Sequence, residues 1–271
     1  MTAPARSRGA PDLADELAFS LEIAARAGRL LMERYERVEQ VDYKSARDVV
    51  TEVDRMSEAM IIEAIRQAWR GDGILAEESG EHAGTSSLAK GRTWVVDPLD
   101  GTINYANGIP VFCVSVALVI DGRPAVGVVH DPTRLETFSA AAGGTARVDG
   151  RPITTSDKER LSDFVVSLAL GGRSVATRAR NVRKAIRVSR SMGSAALALA
   201  YVANGRFDAF VQQGGLSAWD VAAAGLIAER AGATVTDLAG GPWFDLAHPP
   251  RSIGVLAAPR AHHGELLKLV G

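Results

Sequence analysis

The sequence is short of thiols, of one-signed charge and of long apolar runs, and each shortage removes a class of function. Cys113 is the single cysteine of 271 residues, which excludes an intrachain disulfide and a zinc cluster of cysteines and makes a reducing cytoplasm the expected location. A formal net charge of −1, with charges interspersed rather than blocked, offers no basic field to a nucleic-acid backbone, so no nucleic-acid partner is expected. The longest apolar run, from Val111 to Ile120, is broken by Ser115 and falls well short of the roughly 20 residues that cross a bilayer, so no membrane partner is expected either. Arg6 and Arg8 are not followed by an apolar stretch, which argues against a secretory signal and makes residues 1–11 a disordered tail.

What is present suffices for a large core, with 46% of residues hydrophobic and 23% charged. No repeat and no linker-like stretch divides the chain, so an N-terminal half over 12–145 and a C-terminal half over 146–271 are expected to pack as one unit. Asp12 caps a helix running to about Arg37, with the stripe Leu13, Leu17, Leu21, Ala24, Gly28 and Leu31. A short connection through Val41 and Tyr43 precedes a second stripe, Met56, Met60, Ile61, Ile65 and Trp69, stopped by Gly71 and Gly73. Ile74-Leu75-Ala76 is a short buried strand that delivers Glu77 and Glu78, and a polar, mobile loop is expected from Ser79 to about Gly91.

Three apolar runs, Phe112 to Ile120, Ala125 to His130 and Glu136 to Ala141, are separated by Asp121-Gly122 and Asp131-Pro132 and predict an antiparallel meander. Further on, the pattern predicts strands at 164–168, 208–211, 234–238 and 253–257, and helices at about 178–186, 194–202, 219–230 and 262–269. Cys113 reads as a small buried hydrophobe, and the five histidines show no zinc-type spacing and read as surface or capping groups.

The most informative stretch is Asp97-Pro98-Leu99-Asp100-Gly101-Thr102. The run Trp94-Val95-Val96 reads as a buried strand, and Pro98, with no N–H, is expected to end its ladder. Two carboxylates then hang at a strand end, where open α/β sheets bind ligands, and a helix starting near Gly101 points amides at any anion held there. Three more carboxylates stand out by context: Asp54 and Asp220 at helix starts and Glu77 at a strand end. Gathered together they repel unless cations neutralise them, and all-oxygen ligation suits Mg²⁺. Taken singly, each reads more simply as a turn, a charged strand end or a cap.

Four motifs in one order change that balance. Asp48-Val49-Val50-Thr51-Glu52-Val53-Asp54, Glu77-Glu78-Ser79, Trp94 through Tyr105, and Trp219-Asp220-Val221-Ala222-Ala223 with Ala231-Gly232 resemble the inositol monophosphatase family from about Asp12 to Gly271. The resemblance implies an α/β fold of the sugar-phosphatase type, with alternating helix and mixed or antiparallel sheet layers (αβαβα). It also implies Mg²⁺-dependent, lithium-sensitive phosphomonoesterase activity and a homodimer. By the same resemblance, Glu77, Asp97 and the Leu99 carbonyl hold a first metal that activates water, and Asp97, Asp100 and Asp220 hold a second. Thr102 contacts the nucleophilic water, Asp54 orients Thr102, and the Gly101 and Thr102 amides hold phosphate.

Gly193, Ser194 and Ala195 match a loop beside the substrate's hydroxyl-bearing ring. Gln212 or Gln213 stands where the family often has a glutamate that contacts that ring. The expected reaction is hydrolysis of a small phosphomonoester, with inositol 1-phosphate as first candidate. Fructose 1,6-bisphosphate, histidinol phosphate and 3′-phosphoadenosine 5′-phosphate are rivals kept open by the glutamine. A non-enzymatic alternative is a metal-dependent dimeric scaffold that binds a partner protein.

Overall fold

The computed structural model describes residues 12–36, 41–45, 48–85, 90–170 and 176–271, and the expected tail over 1–11 lies outside them. Helix and sheet alternate in five layers. The first layer holds α1 (Ala14–Arg34) and α2 (Glu52–Ala68), joined by a small hairpin of β1 (Val41–Ser45) and β2 (Asp48–Thr51). The second is an eight-stranded sheet made of β3 (Gly73–Ala76), β4 (Gly80–His82), β5 (Arg92–Asp100), β6 (Cys113–Ile120), β7 (Arg123–Asp131), β8 (Glu136–Ala141), β9 (Arg147–Val148) and β10 (Arg151–Pro152). Its order is β10-β9-β8-β7-β6-β5-β3-β4, parallel at β3/β5 and antiparallel elsewhere. The short helix α3 (Thr102–Ala106) follows β5.

The middle layer is α5 (Ala195–Ala203) and α6 (Ala218–Arg230). Beyond it lies a five-stranded sheet of β11 (Val165–Ala169), β12 (Val188–Arg190), β13 (Ala209–Leu216), β14 (Ala233–Thr236) and β15 (Ile253–Pro259), ordered β12-β11-β13-β15-β14. The outer face carries α4 (Ala176–Ala185) and α7 (Arg260–Val270). The expected layering is therefore the one observed.

Side-chain alternation explains the stacking. Along β6, Val114, Val116 and Leu118 pack toward α1 and α2, whereas Cys113, Ala117 and Val119 join the core around α5 and α6. A helix between two sheets has no solvent face, and α6 accordingly buries every residue from Val221 to Ala228. Its close seat requires Gly127 of β7, where a Cβ would meet the Ala223 carbonyl oxygen at 2.7 Å.

The meander forms as expected, and Asp121-Gly122 joins β6 to β7 with both residues at positive φ, 49° and 75°, as a two-residue hairpin of matching twist requires. Several expectations need correction. Pro98 does not end β5: the strand continues to Asp100 across a bulge, with Asp97 opposite Ser115 and Asp100 opposite Cys113, so the missing N–H falls where the ladder is already interrupted. The stripe of α2 is Val53, Ile61, Ile62 and Ile65, with Met56 exposed on the other side. The loop expected from Ser79 contains β4, which pairs with β3. The connection through Val41 and Tyr43 is β1. His130 and His263 are buried, against Thr137 and Thr236, and burial lowers the pKa of both.

Candidate active site

Four chain segments meet at the bulge of β5. Asp97, Asp100 and Asp220 each offer a carboxylate oxygen, all within 4.8 Å of one another, with Asp97 and Asp100 buried and Asp220 partly so. Glu77 leaves the end of β3 with its N–H on the Val96 carbonyl at 3.2 Å. Its side chain hydrogen-bonds Asp97, and it lines a cavity of about 310 Å³ together with Ser217, Trp219, Asp220 and Arg251. Carboxylates in such contact share protons. Burial, followed by the charges of Glu77, Asp100 and Asp220, holds the Asp97 carboxyl well above its usual range. Burial and then the Asp100 charge push Asp220 up to about 7.

Asp100 is also raised by burial, although donors oppose the shift. Ser194 Oγ donates to its Oδ2 at 2.5 Å, the Ala196 N–H donates to the same oxygen at 2.7 Å, and the Ala195 N–H reaches Oδ1 at 3.2 Å. Cys113 is buried as expected, but it is also a neighbour of the site, with Sγ 3.7 Å from both Asp100 Oδ2 and Ser194 Oγ. Burial raises its pKa, so the thiol stays protonated.

Asp54 and Asp220 are held alike, each as the third residue of a helix whose N-cap is a hydroxyl residue. Thr51 donates through its N–H at 2.7 Å and its hydroxyl at 2.5 Å to Asp54 Oδ2, while Oδ1 faces Thr102 Oγ1 at 3.0 Å. Ser217 N–H donates to Asp220 Oδ2 at 2.6 Å. Burial raises Asp54 despite these donors. Thr102 Oγ1 also lies 3.0 Å from the Leu99 carbonyl, and Gly101, at φ 101°, turns the chain into α3 where a Cβ would meet the Val111 carbonyl oxygen at 2.9 Å.

A second cavity, of about 300 Å³, adjoins the carboxylates through Asp100, Asp220 and Gly215. Gly193, Ser194, Ala195 and Gln212 line it, with Ser167, Ser191 and Phe210. Gln213 is exposed and does not line it, so of the two glutamines it is Gln212 that faces this space. Gly193 has φ 75°, and a Cβ there would press on Asn104, whose Nδ2 ties the Val111 and Met192 carbonyls at 2.7 and 2.8 Å.

Sequence reasoning missed Ser57 and Glu58 of α2. Ser57 Oγ donates to the Pro98 carbonyl at 3.2 Å, and Glu58 accepts the Glu78 and Ser79 N–H groups. The available signal was the spacing from Asp54 to Glu58, one helical turn on a single face.

The inositol monophosphatase family model matches residues 12–271, which include every segment that converges here. The chain belongs to the inositol monophosphatase family. Relatives include the Nus factor SuhB of Pasteurella multocida, 40% identical over 235 residues, 83% of this chain and 86% of that protein. The fructose-1,6-bisphosphatase/inositol-1-monophosphatase of Thermotoga maritima is 38% identical over 227 residues, with the same two shares. Among solved structures, the extragenic suppressor protein suhB of Bartonella henselae superposes with a TM-score of 0.87 at 34% identity, covering 95% of this chain and 98% of that one. This member of the inositol monophosphatase family therefore has the fold of its relatives, and three of its carboxylates gather at one spot in it.

Proposed function

We propose that the chain hydrolyses a small phosphomonoester with Mg²⁺ as cofactor, inositol 1-phosphate being the first substrate to test. The observation that carries this reading is the convergence of Asp97, Asp100 and Asp220 within 4.8 Å beside Glu77. Buried carboxylates this close are fitted to divalent cations, and a donor set made only of oxygen suits Mg²⁺. Glu77, Asp97, Asp100, Asp220 and the Leu99 carbonyl would hold the ions. When bound, these neutralise phosphoryl charge and lower the pKa of the attacking water.

The protein's own groups would do the positioning. Thr102, oriented by Asp54, directs its hydroxyl to the entering water, and the Gly101 and Thr102 amides with the start of α3 face the phosphate. Beside the carboxylates, the described side chains lining the second cavity are uncharged: serines, Gln212, Met192, Phe210 and Leu216. Such a surface suits the hydroxyls and ring carbons of a polyol better than a second phosphate or an ammonium group, which would each demand an opposite charge. That favours a polyol monophosphate over fructose 1,6-bisphosphate, histidinol phosphate and 3′-phosphoadenosine 5′-phosphate.

The test is phosphate release from those four substrates, with Mg²⁺ and with a chelator. Hydrolysis of the inositol ester that the chelator abolishes is expected, and release from none of them would refute the reading. Relatives named as Nus factors favour a second reading, in which a surface of the same fold also serves a partner protein. Asp97→Asn separates the two roles, because it should cut turnover by orders of magnitude and leave partner binding intact. A cytoplasmic homodimer completes the proposal, with sedimentation as its check. No helix among the described residues is long and apolar enough to cross a membrane.

A further inference from the structure

Glu77 stands in an awkward place for a metal ligand. It opens the three-residue turn between β3 and β4, and β4 is a strand of only three residues at the sheet's edge. Ala76 pairs with Gly80, which takes φ 77°, so the turn Glu77-Glu78-Ser79 lies outside the ladder, and its amides need acceptors from elsewhere. The Val96 carbonyl takes the Glu77 N–H, and the other two acceptors are the two oxygens of one side chain. Glu58 Oε2 receives the Glu78 N–H and Oε1 receives the Ser79 N–H, both at 2.8 Å, with Glu58 only 3% exposed.

A carboxylate engaged at both oxygens by consecutive amides fixes the peptide plane that follows Glu77, and with it the direction in which the Glu77 side chain leaves the backbone. We propose that Glu58 is a positioning residue for the acidic site: through the 77–79 turn it sets the place of the Glu77 carboxylate relative to Asp97, and so the affinity for the divalent cation. Ser57, beside it, holds the Pro98 carbonyl at 3.2 Å, and Asp54, one turn earlier, holds Thr102 at 3.0 Å. The opening turns of α2 thus grip the site at three points, two on the Asp97–Thr102 stretch and one on the 77–79 turn. The inference rests on the metal-site reading above, and its test keeps the two apart.

Glu58→Gln and Glu58→Ala are made in the full chain, stripped of metal, and titrated with Mg²⁺ by calorimetry, with circular dichroism confirming the fold. Glutamine keeps one acceptor oxygen and alanine keeps none, so the two should weaken Mg²⁺ binding in that order, the alanine by about 10- to 100-fold. The Mg²⁺ concentration for half-maximal phosphate release should rise in the same order while kcat at saturating Mg²⁺ recovers, a split that mere loss of stability would not produce. A folded Glu58→Ala that binds Mg²⁺ as tightly as the parent overturns the proposal. Should alanine prevent folding, unchanged affinity in Glu58→Gln does the same. Glu77→Gln is the control: if it leaves Mg²⁺ affinity unaltered, the metal-site reading itself has failed.

Discussion

Asp54 and Asp220 each spend one oxygen on the start of their own helix, which leaves the other for the site. A side chain fixed at one end by its own backbone loses little further freedom on meeting a ligand, which suits a group that must be in place beforehand. The pattern Thr51-x-x-Asp54 and Ser217-x-x-Asp220 is written plainly in the sequence. The burial of Glu58 is not, because a glutamate in mid-helix reads as solvated, and the turn whose amides engage both its oxygens lies twenty residues later in the chain. Thr102→Val keeps the shape of the Asp54 contact but removes the hydroxyl. It should lower kcat by about 10²-fold with KM little changed. Steady-state kinetics at saturating Mg²⁺ check this, and a change confined to KM would show that the hydroxyl serves binding alone.

Among the elements, α1 and the β6–β8 meander were legible from period and turn residues, whereas α5 and α6, buried almost all round, carry no polar stripe and were legible from a run of small residues and from the Trp219-Asp220 helix start. The short pieces β9, β10 and β12 were not, since two or three residues carry no period and are strands only because a neighbour offers an edge. Pro98 misled for a related reason. A proline predicts a break in a regular ladder, but whether a bulge already interrupts it depends on the partner strand, here the step from Ser115 to Cys113.

Gly127 is the element-scale counterpart, a residue whose role is to let α6 approach β7. Gly127→Ala places a methyl against the Ala223 carbonyl oxygen and Cα, at 2.7 and 2.9 Å, and backbone cannot rotate away as a side chain can. The expected cost is about 1–3 kcal/mol, roughly 2–4 °C in Tm for each kcal/mol, read by thermal unfolding. An unchanged Tm would mean that α6 can retreat from the sheet freely.

At the scale of the whole molecule, the carboxyl cluster ties stability to pH. Without metal, burial raises the carboxyl pKa of Asp97, Asp100 and Asp220, and neighbouring carboxylate charge raises Asp97 and Asp220 further, so the fold holds these protons above the pH at which the unfolded chain releases them. That stabilisation is complete below the ordinary carboxylate pKa and is lost as pH rises, through about 7 for Asp220. His130 and His263, kept neutral by burial, act in the opposite direction, but their contribution is mostly in place once pH exceeds the ordinary histidine value. The metal-stripped protein should therefore melt at a lower temperature at pH 8.5 than at pH 6.5. Mg²⁺ should raise Tm more at the higher pH, because its ligands bind deprotonated. Calorimetric scans at both pH values check this, and a Tm that rises with pH in the stripped protein would refute it.

Asp100 takes its hydroxyl and amide donors from Ser194, Ala195 and Ala196, 94 to 96 residues further along the chain. A polypeptide emerging from the ribosome thus exposes this carboxylate long before anything exists to receive it. The pocket cannot grow stepwise with synthesis, and it closes only when α5 and α6 arrive. No fragment ending before them would inherit a working share of it, and regain of turnover after denaturation should lag the formation of the first sheet.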